Sequence, residues 1–317
     1  MMNGRPLVII GGATGVGKSD LAVKLAKRIS GEIISVDSMQ VYKGFNIGTA
    51  KITPEEMEGI PHHLIDILEP DQEFNVYEFK RLALEAMDKI YANGNIPILT
   101  GGTGFYIQAV LYDIQFSTED PDSGYRKKLE DLAAEHGNMF VHDMLKEADP
   151  EAAAAIHPNN LKRTIRALEY LNSNGERISE HNAVQSMRQT PYNSAYFVLT
   201  RDRQTIYERV NKRVDIMLEN GLADEVRTLL ESGISPDSAA MQGIGYKEMV
   251  PYVQGEKTLE EAVYELKINT RHFAKRQNTW FKREKDAIWL KYEDYAGQDE
   301  MLDRMTEILK EKGIINV

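Results

Sequence analysis

Pro6-Leu7-Val8-Ile9-Ile10-Gly11-Gly12-Ala13-Thr14-Gly15-Val16-Gly17-Lys18-Ser19 is the stretch that decides the fold. A short apolar run rich in β-branched residues ends in glycine, and a helical pattern follows over residues 18–28. The order is strand, loop, helix. Gly12 to Ser19 fits G-x-x-x-x-G-K-[ST] in that context. Glycines let the backbone N–H groups converge, the helix N-terminus adds its dipole, and Lys18 adds a point charge. Gly12, Ala13, Thr14, Gly15, Val16, Gly17, Lys18 and Ser19 are therefore expected to cradle phosphate, with Ser19 placed to ligate Mg²⁺. A merely tight turn would need neither Lys18 nor Ser19.

Outward from this unit, residues 32–36 read as a second strand that stops at Asp37. Residues 79–93 read as a helix ended by Asn93-Gly94, and residues 96–99 as a third strand stopping at Gly101-Gly102. Strands alternating with helices imply an α/β fold, a P-loop NTPase-like parallel sheet with helices on both faces. The rhythm changes near Phe116. Residues 117–122 are polar and contain Pro121. From residue 125 to about 173 every strong pattern is helical, with breaks at Gly137, Pro150 and Pro158, and a loop with Pro191 follows. Strands return at 195–199 and 287–290, and helices at 203–231 and 259–283. The simplest organisation is a catalytic core of residues 1–115 and 195–317, interrupted by an all-helical insert of residues 116–194.

The chain has 317 residues, and a hydrophobic fraction of 42% supports a sizeable core. No apolar run approaches the length of a membrane span, and no signal-peptide pattern precedes the glycine loop. Cysteine is absent, which excludes disulfides and Cys-based zinc sites and makes a reducing cytoplasm the natural setting. His62 and His63 are adjacent, with no metal-type spacing on a helix, and read as structural. The net charge of −11 argues against a nucleic-acid partner unless positive charge is local. It is uneven: residues 271–285 carry Arg271, Lys275, Arg276, Lys282, Arg283 and Lys285 against Glu284, and the tail beyond is acidic.

Such a loop is shared by ATP-binding and other nucleotide-binding proteins, and does not itself say whether the ligand is a nucleoside triphosphate. A hydrolase would usually place an acid at the end of a hydrophobic strand. The strand at 96–100 ends instead in Gly101-Gly102-Thr103-Gly104. The acid at a strand end is Asp37, which should face the loop, because ligands in open α/β sheets sit outside the carboxyl ends of the strands. It can accept a proton from an attacking nucleophile; the alternative is that it caps the next helix. Thr14 and Thr103 lie in glycine turns beside the same crevice.

Several segments together resemble the tRNA dimethylallyltransferase family. They are the glycine loop, Ser35-Val36-Asp37-Ser38, Gln40-Val41-Tyr42-Lys43-Gly44, Asn46-Ile47-Gly48-Thr49-Ala50-Lys51, and Pro61-His62-His63-Leu64-Ile65-Asp66. Gly101-Gly102-Thr103-Gly104-Phe105-Tyr106, Gly245-Tyr246 and Ala274-Lys275-Arg276-Gln277-Asn278-Thr279-Trp280-Phe281 continue the match. The resemblance implies that dimethylallyl diphosphate alkylates N6 of the adenine beside the anticodon and that pyrophosphate leaves. It implies Asp37 as base and Lys18, Thr14 and Arg213 as catalytic groups on the diphosphate. Arg209 lies one helical turn from Arg213 on nearly the same face, so sequence leaves the choice between them open. The implied tRNA contacts are Asp37, Ser38, Met39, Gln40, Thr103 and Arg126; then Lys162, Arg163, Thr164, Ile165 and Arg166. Gln242, Gly243, Ile244, Gly245, Tyr246 and Lys247 follow, with Lys275, Arg276, Gln277, Trp280 and Lys282. The partners are then the tRNA anticodon stem-loop and dimethylallyl diphosphate, the cofactor is Mg²⁺, and a cytoplasmic monomer is expected. Two departures stand out: Lys162 where the family often has glutamine, and Ala13 where proline is frequent.

Three other readings compete. A P-loop small-molecule kinase also carries an acid after its second strand, but leaves the long insert and residues 274–281 unexplained. A transferase acting on free AMP or ATP would not need Lys162, Arg163 and Arg166. A non-enzymatic nucleotide switch or RNA-binding module would not require Asp37.

Overall fold

The computed structural model describes residues 4–116, 123–187 and 189–316; the polar stretch 117–122 lies outside them. The chain divides into two compact units, one of Met1–Leu111 with Thr190–Val317, the other of Tyr112–Gln189. The first unit opens with β1 (Pro6–Gly12), α1 (Lys18–Ile29), β2 (Gly31–Val36), α2 (Pro54–Met57), β3 (His62–His63), α3 (Val76–Ala92), β4 (Ile96–Gly101) and α4 (Gly104–Leu111). The second unit holds α5 (Ser123–His136), α6 (Asn138–Ala148), α7 (Pro150–Ala155), α8 (Leu161–Asn174) and α9 (Ile178–Ser186). The first unit resumes with β5 (Asn193–Thr200), α10 (Arg203–Glu219), α11 (Leu222–Glu231), α12 (Tyr246–Val253), α13 (Leu259–Phe281), β6 (Ile288–Lys291), a 3-10 turn (Tyr292–Asp294) and α14 (Gln298–Glu311).

The six strands form one parallel sheet in the order β3-β2-β4-β1-β5-β6. β1 lies inside it, pairing Ile9 with Leu99 on one side and with Tyr196 on the other. Leu7, Val8, Ile9 and Ile10 are fully buried. That is why β1 is a continuous apolar run rather than an alternating one. The chain winds from β1 outward to β2 and β3, returns to β4, then crosses to β5. The winding reverses beside β1, so the crevice at the carboxyl ends of β1, β2 and β4 is the expected ligand position.

One face of the sheet is covered by α1 and α14, where Leu21, Leu25 and Ile29 pack with Val8, Phe197, Met305 and Leu309. Residues beyond 293 read from sequence as an acidic tail. Their apolar stripe, Met301, Leu302, Met305, Ile308 and Leu309, recurs at helical spacing and is buried. The helical stretch expected over 203–231 is divided into α10 and α11 at Gly221, which takes φ 92°. α3 starts three residues before 79, since the Asn75 side chain caps it by accepting the Glu78 N–H at 3.0 Å. α9 falls where a loop was expected; it carries no apolar stripe to announce it. His63 Nε2 lies 2.7 Å from Glu32 Oε2, which fits a structural role.

The second unit has its own core, with Leu129, Val141, Leu145, Ile165 and Leu168 packed between its helices.

Candidate active site

Gly12, Gly15 and Gly17 take φ of 143°, 79° and 106°, a region costly for any side chain. At Gly12 a Cβ would also lie 2.5 Å from the Leu199 carbonyl oxygen. The loop's carbonyl groups are tied down by side chains. Lys18 Nζ donates to Ala13 O at 2.8 Å, Arg209 Nε to Gly15 O at 2.7 Å, Arg201 Nε to Val16 O at 3.0 Å and the Tyr292 hydroxyl to Gly17 O at 3.1 Å. With those oxygens engaged, the N–H groups at the start of α1, which have no intrahelical acceptor, form the polar lining of the loop.

α13 clamps this loop to the end of β4. Gln277, buried, accepts the Thr14 N–H at 2.8 Å and donates its side-chain nitrogen to Gly102 O at 3.1 Å. The glycines around it are required by contact. A Cβ at Gly102 would lie 2.1 Å from Gln277 Nε2, one at Gly104 2.1 Å from the Trp280 ring, and one at Gly11 2.7 Å from the Phe281 ring. The glycine turn after β4 and the Gln277–Phe281 stretch are thus two halves of one packing arrangement.

Beside the loop opens a cavity of about 350 Å³. Thr14, Asp37, Ser38, Met39, Thr103, Arg213, Gln242, Gly243, Ile244, Gly245 and Arg276 all line it, drawn from six separate segments. Asp37 does not cap a helix. Its Oδ1 accepts the N–H groups of Met39 at 2.8 Å and Gln40 at 3.3 Å, turning the chain just after β2. Burial raises the Asp37 pKa; the two N–H groups and the nearby Lys18 ammonium oppose that shift. Burial lowers Lys18 to about 7, helped by repulsion from Arg213 and opposed by Asp37. Arg213 is also pushed down, first by burial and then by Arg209. Lys18, Asp37 and Arg213 all keep an accessible edge, so water or a ligand in the cavity moderates the burial effect.

The two arginines left open by sequence have different positions. Arg209 braces the Gly15 carbonyl, while Arg213 lines the cavity and its Nη1 donates to Thr14 Oγ1 at 3.3 Å. Gly48, Thr49, Ala50, Val214, Met217, Leu266, Thr270 and Phe273 also line the cavity and were not singled out as site residues. Leu266, Thr270, Phe273 and Gln277 are spaced four, three and four apart, the spacing of one face of α13, which is the signal that could have found them.

At other expected tRNA contacts the side chains make bonds or packing contacts inside the protein. Gln40 donates to Thr49 O and Ala50 O at 3.3 and 3.4 Å and accepts from Ser35 at 2.9 Å. Tyr246 is fully buried, its hydroxyl on Glu225 at 2.6 Å, and Gln277 holds the loop. In the second unit Thr164 is fully buried and donates to Asn160 O at 3.2 Å, and Ile165 lies in the core. Arg126 spends two donors on buried Glu169, at 2.7 Å each. Lys162, Arg163 and Arg166 are exposed along α8, as are Lys247, Lys275 and Lys282 on the first unit, while Trp280 stacks edge-on to Phe105.

Ser19 is exposed at the start of α1 and borders a small recess lined by Ser35, Gln40, His62 and Thr100 together with Ala22, Ile33, Ile52 and Ile65; the Thr100 hydroxyl there has no partner. Among the described residues no cluster of three His, Cys, Asp or Glu side chains could hold a metal, and no helix is long and apolar enough to cross a membrane.

The family model described as IPP transferase matches residues 40–284. The tRNA dimethylallyltransferase of Lachnoclostridium phytofermentans is 58% identical over 311 residues, covering 98% of this chain and 99% of that protein. The crystal structure of the full-length tRNA isopentenylpyrophosphate transferase of Bacillus halodurans superposes with a TM-score of 0.72 at 44% identity, covering 98% of each chain. A eukaryotic dimethylallyltransferase acting on tRNA gives 0.79 at 31% identity, covering 90% of this chain and 74% of that one. By sequence over nearly its whole length and by fold, the chain belongs to the IPP transferase family, the tRNA-modifying prenyltransferases.

Proposed function

We propose that this enzyme transfers the dimethylallyl group of dimethylallyl diphosphate to N6 of an adenine beside the tRNA anticodon and releases pyrophosphate. The observation that carries the reading is that Asp37, Thr14 and Arg213 face one cavity at the mouth of the Lys18 loop. The diphosphate lies in the loop against the inward N–H groups, with Lys18 and Arg213 on its oxygens. The adenine amine attacks the allylic carbon; the bond from that carbon to the bridging oxygen breaks, and its electron pair leaves with pyrophosphate. Asp37 takes the N6 proton, for which a carboxylate with a raised pKa is the better base, contributing on the order of 10²–10⁴-fold. Charge growing on the leaving group is met by donors already in place, the usual dominant contribution.

Mg²⁺ fits the donor set only if the diphosphate and water supply most of its ligands, since Ser19 offers one hydroxyl beside a small recess of mixed lining; bound there, it would neutralise charge on the leaving pyrophosphate. Lys162, Arg163 and Arg166, exposed on α8, are suited to phosphates of the anticodon stem-loop. The target base is flipped from its stack to reach the cavity. A cytoplasmic setting and a monomer accompany this reading.

The test is transfer of label from dimethylallyl diphosphate to full-length tRNA, to an anticodon stem-loop and to free AMP. Label on both RNAs and not on AMP supports the reading. Label on AMP at a comparable rate favours the free-nucleotide alternative.

A further inference from the structure

Three consecutive backbone N–H groups of the turn after β2 converge on the side chain of Glu225, which lies on α11 and does not line the cavity. Asn46 N–H donates to Oε2 at 3.2 Å, Ile47 N–H to Oε2 at 2.8 Å and to Oε1 at 3.0 Å, and Gly48 N–H to Oε1 at 3.1 Å. The Tyr246 hydroxyl adds a bond to Oε1 at 2.6 Å. Successive N–H groups pointing at one centre make an anion-binding concavity. Here the protein supplies the anion itself.

The turn needs holding. Ala50 sits at φ 49°, which a residue with a Cβ adopts at a cost. Gly48, the last of the three donors, and Thr49 and Ala50 after it are cavity wall. Tyr246 presses on the same turn: a Cβ at Gly48 would lie 2.5 Å from its ring, and Phe45 packs on it at 4.6 Å between centroids. Tyr246 begins α12 directly after Gly243, Ile244 and Gly245, which also line the cavity. Gly245 itself is at φ 106°, and a Cβ there would lie 2.9 Å from Gly48 O.

We propose that Glu225 is a positioning residue that fastens the 46–50 turn to the 243–246 turn and so sets the width of the acceptor side of the cavity. The proposal rests on the reading that this cavity receives the acceptor base. Glu225 makes no bond to the glycine loop. Its loss should therefore act on the acceptor and leave the diphosphate alone, since misplacement of a reacting group by about 1 Å can cost roughly 10²-fold.

The test uses Glu225→Gln, equal in shape but with one acceptor oxygen replaced by an NH₂ that meets backbone N–H groups. Tyr246→Phe, which keeps the ring and loses one bond, is the milder companion. Three quantities are measured on the full chain: hydrogen exchange of residues 44–51, the dissociation constant of pyrophosphate, and kcat and KM for tRNA. Expected are faster exchange in that segment and kcat/KM for tRNA lower by about tenfold or more. Pyrophosphate affinity should stay within about twofold, and Tyr246→Phe should lie between wild type and Glu225→Gln. Unchanged exchange would show that the carboxylate does not hold the turn. Faster exchange with unchanged kcat/KM, or an equal loss of pyrophosphate affinity, would overturn the positioning role. If the wild type transfers nothing to tRNA, the proposed function fails instead, while exchange and pyrophosphate binding still show whether Glu225 holds the turn.

Discussion

Gln277 and Thr14, 263 residues apart in the chain, share a 2.8 Å hydrogen bond in which the side-chain oxygen accepts the backbone N–H of the glycine loop. The same side chain reaches Gly102 at 3.1 Å. The loop's shape is therefore set by α13 as well as by its own glycines. Gln277→Ala leaves the Thr14 N–H and the Gly102 carbonyl without their buried partner, a loss of about 1–3 kcal/mol. Calorimetric titration should show pyrophosphate binding roughly tenfold weaker or more. Unaltered binding would mean that the loop is rigid without its clamp.

Lys18 gives a pH dependence of known sign. In the free protein it is held at about 7, below the ordinary lysine value of 10.5. A diphosphate beside it favours the charged form. Below pH 7 the lysine is already protonated and its contribution to affinity is constant. Above pH 7 binding must take up a proton, so that contribution weakens, by up to about tenfold per pH unit. The ratio of wild-type to Lys18→Ala affinity, measured from pH 6 to 9, removes the titration of pyrophosphate itself. A ratio that stays flat across that range would contradict the assignment.

Arg213 and Arg209 should separate in kinetics. Arg213→Ala removes a cation that faces the cavity, so pyrophosphate affinity and kcat should both fall, as for an interaction that strengthens with leaving-group charge. Arg209→Ala loosens the Gly15 carbonyl and should act through the loop, with a smaller loss of kcat. The ratio of the two losses in steady-state assays checks this, and a larger kcat loss for Arg209→Ala would reverse the assignment.

Much of this was legible in the sequence because it is local. The loop announces itself through fixed glycine and lysine spacing, β1 through an unbroken apolar run, and Asp37 as the acid at a strand end. What was not legible depends on where distant side chains point. Arg209 and Arg213 share a helix face, and only packing against the loop turns one to Gly15 and the other to the cavity. Thr164, Ile165 and Tyr246 sit in basic or glycine-flanked segments that look available, yet each points into a core. Glu225 belongs to no motif; its five bonds exist only once α11 meets the turn after β2. α9 has too little amphipathic pattern to be read at all.

The exposed cations of α8 predict a salt effect. Arg163→Ala combined with Arg166→Ala should raise the tRNA dissociation constant and reduce the slope of its logarithm against the logarithm of salt by up to about one unit per lost phosphate contact. Pyrophosphate affinity should not change. Coincident salt series for wild type and variant would leave these residues as a solvated helix face.

The central claim is that Asp37 accepts the proton of an adenine amine as the prenyl group arrives. The direct measurement is mass spectrometry of nucleosides from tRNA incubated with dimethylallyl diphosphate and Mg²⁺, followed in time for wild type and Asp37→Ala. The wild type should yield adenosine carrying dimethylallyl on N6 from the position beside the anticodon. The variant should form it slower by about 10²-fold or more while binding pyrophosphate normally. A prenyl group on another atom, none on tRNA, or a variant working near the wild-type rate would contradict the account.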